Sequence, residues 1–482
     1  METFDVAIVG YGPVGATLAN LLAAQGVRVV VLERDGAPYS LPRAVHFDDE
    51  VMRVFQAIGL AEAVAATTHV SPGMRFVNGE GRLLIDWPRP MQVGPQGWHA
   101  SYRFHQPALE QVLRRGLERH ANATVRLLTE VESIDQDAAG VRLQTAAGPI
   151  GASWAVGCDG ARSLTRRAIG GGLEDLGSHE RWLVIDLVLK RPMPQLGDWS
   201  IQFCDPAGPA TYVRGVGDRR RWEIMLRPED NAAAATAPGQ VWRRLARWIT
   251  PADADLERAA VYTFHAVIAE RWRNGRLLLA GDAAHQTPPF LGQGMCAGIR
   301  DASNLAWKLA RVVAGRSDAS ILDSYQSERV PHVRDYIELA VRLGGIIQTA
   351  DFAAAAERDA GMLANPTRMA SIKPRLGPGL HGDAPEPAGR MAPQPVLADG
   401  RRLDDAAGLR YVLLCTPDFA QRISADLRAK LQRRDVALLA DAGGETKAWL
   451  ASIGAAAALL RPDRYILRTF GTPAALAALA LN

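Results

Sequence analysis

The chain has 482 residues, of which 48% are hydrophobic, and its 55 Lys and Arg nearly balance its 52 Asp and Glu. This length exceeds what one hydrophobic core usually holds, so we expect two or three well-packed domains. The charge balance gives no support for nucleic acid or an anionic membrane surface as a partner.

Cysteine usage and the start of the chain bear on metal content and compartment. The four cysteines are scattered and form no CxxC pair, which argues against a disulfide framework and against a zinc site. They are Cys158, Cys204, Cys296 and Cys415. No basic leader opens the chain, and no apolar run reaches the roughly 18 residues of a membrane span. We therefore expect a soluble cytoplasmic protein without a metal site.

The beginning of the chain predicts a nucleotide-binding unit of strand, tight turn, helix and strand. The β-branched run Phe4–Val9 leads into Gly10-Tyr11-Gly12-Pro13-Val14-Gly15, and an Ala/Leu-rich segment then separates this turn from Val27–Leu32. Gly10 permits the sharp turn, Gly12 lets the backbone approach a pyrophosphate, and Gly15 allows close helix packing. We expect Gly10, Gly12, Pro13, Val14 and Gly15 to bind a dinucleotide at the helix N-terminus. A purely structural glycine-rich turn is the alternative.

Charged residues end the second strand and the loop after it. Glu33 lies close to the spacing of about 20 residues at which an acid binds ribose hydroxyls, and Arg34 follows it. The Pro/Gly-rich loop that starts at Arg34 leads to Arg43 and His46, ahead of a helix that Asp48 or Asp49 would cap. Arg43 and His46 would thus lie beside the nucleotide. A surface arginine and a loop-bonded histidine are the alternative, which spacing alone favours for His46.

Two further turns could contact the same nucleotide. Gln106 precedes Pro107 at the start of a helix, where its amide could reach the cofactor cleft or serve only as a polar N-terminal residue. An apolar strand ends at Gly157-Cys158-Asp159-Gly160-Ala161-Arg162. Asp159 could bind a ribose there, with Gly160 in the turn and Arg162 at a phosphate. An ordinary Asp-Gly turn is the alternative.

From Arg181 onward, alternating apolar residues without intervening helices predict a largely antiparallel sheet. Its strands are expected over Trp182–Leu189, Ser200–Cys204, Thr211–Val216, Arg221–Arg227 and Ala260–Val267. Such a layer suits one wall of a substrate pocket. Tyr212 and Arg214 on it could pair with a phenol and a carboxylate, although surface positions are as consistent with the pattern.

The segment after the sheet predicts a second nucleotide contact. A buried strand over Leu277–Ala280 releases Gly281 and Asp282 at its carboxyl end, where open α/β sheets bind ligands. A Pro288-Pro289 pair fixes an extended loop, and Gly292-Gln293-Gly294-Met295 brings backbone N–H groups close to a ligand before a helix begins. A structural loop is the alternative, but it leaves this grouping of Gly, Pro and Asp unexplained.

The remainder predicts a long helix over Ala319–Ile347, a Pro/Gly-rich linker and a small α/β domain. The expected domains are a discontinuous Rossmann-type nucleotide domain, an inserted antiparallel sheet domain, the linker and the C-terminal domain. The nucleotide domain is expected over 1–73, 98–180 and 270–350, and the sheet domain over 74–97 and 181–269. The linker is expected over 351–396 and the C-terminal domain over 397–482.

The four motifs together, in this order, resemble the single-component FAD-dependent aromatic hydroxylases, and most closely the 3-(3-hydroxyphenyl)propionate hydroxylase branch. They are Gly10–Gly15 with Glu33, Arg43–Glu50, Gly157–Ser163 and Gly281–Gly294. The resemblance covers nearly the whole chain. It implies FAD as cofactor, NADH or NADPH and dioxygen as co-substrates, a phenolic substrate, and a C-terminal module that is thioredoxin-like but lacks the CxxC.

The resemblance also implies roles for individual residues. Gly10–Gly15 and Glu33 would hold the ADP moiety of FAD, with Arg43, Gln106 and Asp282 at its diphosphate and ribityl region. The Asp159-Gly160 motif would serve both FAD and the nicotinamide nucleotide, and the Pro288–Met295 loop would face the isoalloxazine ring. Oxygen would reach the substrate ring from a flavin hydroperoxide, and His46 is the candidate base for the phenol.

Other activities fit the same motifs. A polyketide-tailoring hydroxylase, a Baeyer–Villiger monooxygenase, an FAD-dependent dehydrogenase and a flavin-binding scaffold are the alternatives. The sequence leaves open the arene, the choice between NADH and NADPH, and whether the protein is a monomer or a homodimer.

Overall fold

The computed structural model describes residues 2–38, 43–365 and 367–478. The strands are β1 (Thr3–Val9), β2 (Val29–Leu32), β3 (His46–Asp48), β4 (Thr68–Val70), β5 (Gly73–Asn78), β6 (Leu83–Pro88), β7 (Ser101–Phe104), β8 (Ala123–Arg126), β9 (Val131–Gln136), β10 (Val141–Thr145), β11 (Gly148–Gly157), β12 (Leu173–Leu189), β13 (Ser200–Cys204), β14 (Ala210–Arg214), β15 (Arg219–Met225), β16 (Ala254–Ala269), β17 (Arg273–Asn274), β18 (Leu277–Leu279), β19 (His285–Gln286), β20 (Thr367–Arg368), β21 (Tyr411–Cys415), β22 (Val436–Ala440), β23 (Ala457–Leu460) and β24 (Ile466–Phe470). The helices are α1 (Pro13–Ala23), α2 (Asp49–Ala57), α3 (Ala61–Ala65), α4 (Gln106–Leu117), α5 (Leu164–Ile169), α6 (Ala232–Ala235), α7 (Pro238–Leu245), α8 (Gly294–Val313), α9 (Asp323–Ile347), α10 (Phe352–Ala364), α11 (Leu403–Ala407), α12 (Pro417–Gln421), α13 (Ala425–Arg433), α14 (Gly444–Ser452) and α15 (Pro473–Ala477).

An eight-stranded sheet places the sequence motifs along one edge. Its main path is β17-β18-β11-β1-β2-β8, and β1 pairs in parallel with both β2 and β11, while β11 pairs in parallel with β18. Because parallel strands end at the same edge, the segments that follow β1, β2, β11 and β18 meet there. Gly10, Glu33, Cys158 and Ala280 are the residues that follow these strands or lie next to their ends. The expected α/β nucleotide-binding fold is therefore present.

A nine-stranded, mostly antiparallel sheet forms the second layer, with the order β19-β16-β12-β15-β14-β13-β5-β6-β20. The strand expected over Trp182–Leu189 is the second half of β12, which begins at Leu173 and pairs along its length with β16. The β5–β6 hairpin, which the sequence indicated as an insertion, joins this sheet through β13.

The C-terminal part contains a four-stranded sheet in the order β22-β21-β23-β24. β21 and β22 are parallel, whereas β23 is antiparallel to both β21 and β24. The segment expected to be a linker starts with the 13-residue helix α10, since Pro/Gly-rich sequence begins only after it. Between β21 and β22 the chain forms two helices, α12 and α13, because Ser424 caps a new helix by accepting from the Leu427 backbone N–H.

None of the helices in the described residues combines the length and the apolar character needed to cross a bilayer.

Candidate active site

The turn after β1 has the close contacts that its glycines predict. Gly10 has a φ of +100°, and a Cβ there would lie 2.5 Å from the Cys158 carbonyl oxygen. A Cβ on Gly15 would lie 2.1 Å from the Gly10 carbonyl oxygen. A Cβ on Gly12, in contrast, would meet no heavy atom within 4 Å. The turn is therefore packed against the protein at its two ends and open at Gly12, on the side where a pyrophosphate would approach.

Glu33 is tied to this turn by hydrogen bonds. Its carboxylate accepts from the Tyr11 backbone N–H at 2.7 Å and from the Asp35 N–H at 2.9 Å. Glu33 is half-buried, so part of the carboxylate remains available to another donor such as a ribose hydroxyl. Arg34 is exposed and lies 3.8 Å from Asp35. The residues between 38 and 43 in the expected Pro/Gly-rich loop lie outside the described residues.

The Gly281 turn brings α1 and α8 together at the same edge. Gly281 has a φ of +66° and lies between Val14 of α1 and Gly298 of α8, where a Cβ on Gly298 would be 2.9 Å from the Gly281 Cα. Asp282 is exposed to solvent beside this contact. Although the side chain reaches solvent, the surrounding protein partly desolvates the Asp282 carboxylate and raises its pKa, while the charges of His285 and Arg43 act in the opposite direction. Asp282 and Arg43 are therefore close enough for their charges to interact.

Sequence reasoning missed the buried support of this turn. Asp301 on α8 accepts from the Gly281 backbone N–H at 3.0 Å, His285 Nε2 lies 2.7 Å from it, and Arg329 donates to it at 2.9 Å. Burial acts to raise the pKa of Asp301, but the charges of His285 and Arg329 hold it below its usual range. This ionised group fixes the position of Gly281. Only the helical spacing of Asp301 within α8 could have signalled it.

The loop before α8 ends in an uncapped helix N-terminus. Pro288 is buried, Pro289 begins a single 3-10 turn, and Gly292 has a left-handed φ of +64°. Neither Gln293 at the start of α8 nor Gly12 at the start of α1 provides a side-chain cap. Backbone N–H groups at both helix ends therefore remain available to an anionic or polar ligand.

Gln293 is held in place by charged neighbours. Its amide donates to Asp48 at 3.2 Å and accepts from Arg300 at 3.0 Å. Gly294 and Met295, the first residues of α8, are half-buried beside it. The loop that was expected to face the flavin is thus fixed by side-chain contacts with Asp48 and Arg300.

Gln106 lies in the predicted region but points its amide at the protein. Its oxygen accepts from the backbone N–H groups of Arg43 at 2.8 Å and Ala44 at 2.9 Å, and its nitrogen donates to Glu110 at 2.8 Å. The side chain is buried. Gln106 therefore fixes the backbone of the Arg43 loop, while Arg43 itself is exposed.

Asp159 also makes its contacts within the protein. Its carboxylate accepts from Ser163 and from the backbone N–H and hydroxyl of Thr165, at 3.0 and 3.1 Å for the latter two. These bonds hold the turn at Gly160, which has a φ of +74°. Arg162 is exposed. The turn lies at the expected edge, and its carboxylate fixes the local structure.

The two expected substrate residues on the sheet are not brought together with the other candidates. Tyr212 is 3% exposed, packs 4.9 Å from the Trp222 ring and belongs to the core that includes α7. Arg214 donates to the carbonyl oxygens of Gly215 and Gly217. Both side chains are thus held by contacts within the sheet layer, and their assignment to the substrate stays a prediction.

The opposite sheet face carries charges that the sequence did not single out. Val213 pairs with Arg221, the neighbour of Trp222, so Arg221 projects from the other face. Arg221 donates to Asp186 at 2.7 Å and to the Arg43 carbonyl oxygen at 2.8 Å. This face of the sheet is consequently the one that contacts the nucleotide domain.

His46 on β3 lies between the neighbouring strand β7 and the α8 loop. Its Nε2 is 2.8 Å from the Ser101 hydroxyl, and its Nδ1 is 3.4 Å from the Gly292 carbonyl oxygen. Burial, together with the charges of Arg89 and Arg103, lowers the pKa of His46 to about 4. The ring is therefore neutral near pH 7, and it is a weak base.

A cavity of about 220 Å³ opens next to His46. Its walls come from the nucleotide domain, the β5–β6 hairpin, α9 and the C-terminal part, represented by Gln293, Trp87, Tyr336 and Tyr465. The cavity therefore contacts the α8 loop and includes residues that are far apart in sequence.

A buried chain of contacts connects this cavity with the C-terminal part. Arg300 binds Gln293, Asp48 and Glu50, with 2.6 Å between its Nε and Glu50. Burial acts to raise the pKa of Asp48, but Arg300 lowers it to about 2. Tyr465 then donates to Glu50 at 2.6 Å. The α8 loop and the C-terminal sheet are thus joined through one arginine and one carboxylate.

These features fit an FAD molecule. The open space at Gly12 and the two uncapped helix ends supply N–H donors for a diphosphate and for a polar ring edge. The exposed Asp282 and the partly available Glu33 supply acceptors for hydroxyl groups. The donor and acceptor set at this edge therefore matches a flavin dinucleotide.

Comparison with known proteins gives a consistent result. The protein-family model described as FAD binding domain matches residues 3–340. The chain is 42% identical to a probable NADH-specific resorcinol 4-hydroxylase of Rhodococcus jostii, over 99% of this chain and 94% of that protein. It is 35% identical to a 3-(3-hydroxy-phenyl)propionate/3-hydroxycinnamic acid hydroxylase of Mycobacterium avium, over 96% of this chain and 88% of that protein. The solved ternary complex of aklavinone-11 hydroxylase with FAD and aklavinone shares the fold, with a TM-score of 0.80 and 23% identity over 99% of this chain and 98% of that one.

Proposed function

Because the chain belongs to the FAD binding domain family and, within it, to the single-component FAD-dependent aromatic hydroxylases, we propose that it hydroxylates a monocyclic phenol using NADH and dioxygen. The observation that carries the proposal is the meeting of the uncapped N-termini of α1 and α8 beside Asp282. NADH is the proposed reductant because the relative from Rhodococcus is described as NADH-specific.

When bound, FAD supplies the redox and oxygen-transfer chemistry, so the protein must bind the cofactor, orient the substrate and shield the reaction from water. We assign the ribose hydroxyls to Glu33 and the diphosphate to the backbone from Gly12 to Gly15, with Arg43 and Asp282 at the adjoining region. Gln106 acts indirectly by fixing the Arg43 backbone. Asp159 fixes the turn beside Gly160 in the same way.

The α8 loop would hold the reacting ring of the cofactor. Backbone N–H groups at Gly292–Met295 would bind its polar edge, with partial positive charge from the helix end favouring an anionic ring. Pro288 and Pro289 would form an apolar wall, because neither can donate a backbone N–H to it. Excluding water at this wall would keep activated oxygen from being lost before it reaches the substrate.

His46 would orient the phenol. With a pKa of about 4, the His46 ring is neutral at neutral pH. Its Nδ1 faces the Gly292 carbonyl oxygen, so its lone pair lies on Nε2 and accepts from the Ser101 hydroxyl, whose oxygen would in turn accept from the phenol O–H. We therefore propose that His46 and Ser101 form a hydrogen-bonded pair that polarises the phenol O–H. This role replaces the full proton transfer expected of a base.

The finer architecture also enters the proposal. We propose that residues 397–482 form a thioredoxin-like module, because the order β22-β21-β23-β24 with an antiparallel β23 has that topology. Without a CxxC, the module would serve as a wall of the cavity. We also propose the division between the nucleotide domain and the sheet domain that is given above. We further propose that the protein is cytoplasmic.

The test is NADH oxidation by the purified flavoprotein, with oxygen uptake and product mass followed in parallel. The panel contains resorcinol, 3-(3-hydroxyphenyl)propionate, a simple phenol and a polycyclic phenol. Stimulated oxidation and a product heavier by one oxygen atom are expected for a monocyclic phenol. Turnover only with the polycyclic compound would favour a polyketide-tailoring enzyme, and oxygen-independent turnover would contradict hydroxylation.

A further inference from the structure

The cavity beside His46 is lined by charged side chains of both signs. Its charged lining includes four cations, which are Arg89, Arg300, Lys373 and Arg390. Three carboxylates face them, which are Asp48, Asp49 and Glu50. The lining also contains His46 and His332, which add no negative charge. How these charges are paired therefore decides where an anionic ligand could bind.

Three of the four cations already have carboxylate partners. Arg300 binds Asp48 and Glu50. Lys373 lies 3.2 Å from Asp49, and Arg390 lies 2.7 Å from Glu386. Arg89 is the remaining cation of the four.

The Arg89 side chain makes no hydrogen bond or ion pair with any described residue, and its Nη1 is buried without a partner. The guanidinium lies 4.1 Å above the Trp87 ring. Burial lowers the pKa of Arg89 to about 10, but the group remains charged near neutral pH, and Asp48 is close enough to oppose the shift. A desolvated guanidinium without a hydrogen-bond acceptor is unfavourable, and an anionic ligand would relieve that cost.

We propose that Arg89 is the anion-binding residue of the substrate site and holds the carboxylate of a hydroxyaryl acid whose phenol ring lies toward His46. This inference rests on the proposed function. Planar carboxylates suit the guanidinium fork, and the aromatic ring of Trp87 holds the fork from one side. His46 and the α8 loop line the same cavity, so the phenol end of such an acid would face the flavin-binding loop.

The diphosphate of NADH is the other source of anionic oxygen atoms, and the experiment separates it from the carboxylate. The FAD-loaded Arg89→Met, Arg89→Lys and Arg82→Met variants are compared with the wild type. Arg82 lies on the same hairpin and is exposed, so its variant controls for the loss of one positive charge nearby. Calorimetry gives the Kd of 3-(3-hydroxyphenyl)propionate and of resorcinol, and steady-state kinetics gives the KM for NADH.

Arg89→Met is expected to raise the Kd of the acid about 10- to 100-fold, as expected for loss of a charged hydrogen bond. The Kd of resorcinol and the KM for NADH should stay within about twofold, Arg89→Lys should restore part of the affinity, and Arg82→Met should behave as wild type. Retained resorcinol binding also shows that the variant is folded.

Several results would overturn the proposal. They are equal losses for the acid and resorcinol, a rise confined to the KM for NADH, no change for any ligand, or a wild type that does not bind the acid. Failure of the proposed function has a different signature. In that case the acid binds through Arg89, but no oxygenated product forms with any phenol.

Discussion

Replacing Tyr465 by Phe tests whether the C-terminal sheet supports the α8 loop. The Tyr465 hydroxyl donates to Glu50 at 2.6 Å and lies 3.2 Å from His332 Nε2, and the side chain is 4% exposed. Burial holds the pKa of Tyr465 well above its usual value, so the hydroxyl keeps its proton. The substitution therefore deletes a donor to a buried carboxylate that also binds Arg300.

The magnitude follows from the charge of the acceptor. A hydrogen bond to a charged group contributes about 1.5–3 kcal/mol, and a buried acceptor that loses its donor keeps its desolvation cost. We expect Tyr465→Phe to reduce the free energy of unfolding by about 2 kcal/mol. Because Arg300 also binds Gln293, we expect the α8 loop to be less well held, with more hydrogen peroxide formed per NADH oxidised.

Urea unfolding, followed by flavin release, measures the first effect, and a peroxidase-coupled assay measures the second. Tyr411→Phe is the matched control, since Tyr411 is also buried in the C-terminal part, and its ring packs against Trp307. If Tyr465→Phe and Tyr411→Phe have the same stability and the same peroxide yield, the link from Tyr465 to the α8 loop is refuted.

Three other changes probe the nucleotide edge and His46. Gly15→Ala would place a Cβ 2.1 Å from the Gly10 carbonyl oxygen, so we expect loss of bound FAD, measured as flavin absorbance per protein after gel filtration; wild-type flavin content would contradict the packing argument. Asp282→Ala should also lose FAD, with Asp282→Asn retaining part of it through its remaining acceptor oxygen, and a fully loaded Ala variant would disprove the cofactor assignment. His46 has a pKa near 4 in the fold and about 6.5 when unfolded, so the unfolded state binds more protons between these values. The free energy of unfolding should therefore fall as the pH decreases from about 6.5 to 4, by at most about 3 kcal/mol for this group, and urea titrations of His46→Asn should lack that part of the decrease.

Local chemistry predicted the nucleotide edge well. Gly10 and Gly15 are required by contacts within a few residues of a strand and helix whose pattern is evident, and Asp48 caps α2 as its position predicts, by accepting from the Val51 backbone N–H at 3.2 Å. The family and the α/β class follow from such local rules. They depend on spacing along the chain, which a sequence displays directly.

The sheet wall was harder to predict, because side chains alternate between the two faces of a strand. Tyr212 and Trp222 face the α7 core, whereas Arg221, one residue away, faces Arg43. Choosing between the faces requires the register of the strands and the layer packed on each side. Neither can be obtained from alternation alone, so the sequence did not assign the faces on which Tyr212 and Arg214 lie.

The same limit applies more strongly to contacts between domains, and these define what the C-terminal part can do. Lys308 and Arg461 lie 2.7 and 2.8 Å from Glu328, and all three side chains are at most 1% exposed. Burial acts to raise the pKa of Glu328, but the two cations hold it far below its usual range. Separation of the C-terminal sheet would remove Arg461 from Glu328 and Tyr465 from Glu50, leaving buried charged groups with fewer partners. A module fixed in this way is better suited to form a permanent wall of the cavity than to act as a mobile redox partner. A wall of this kind requires no CxxC.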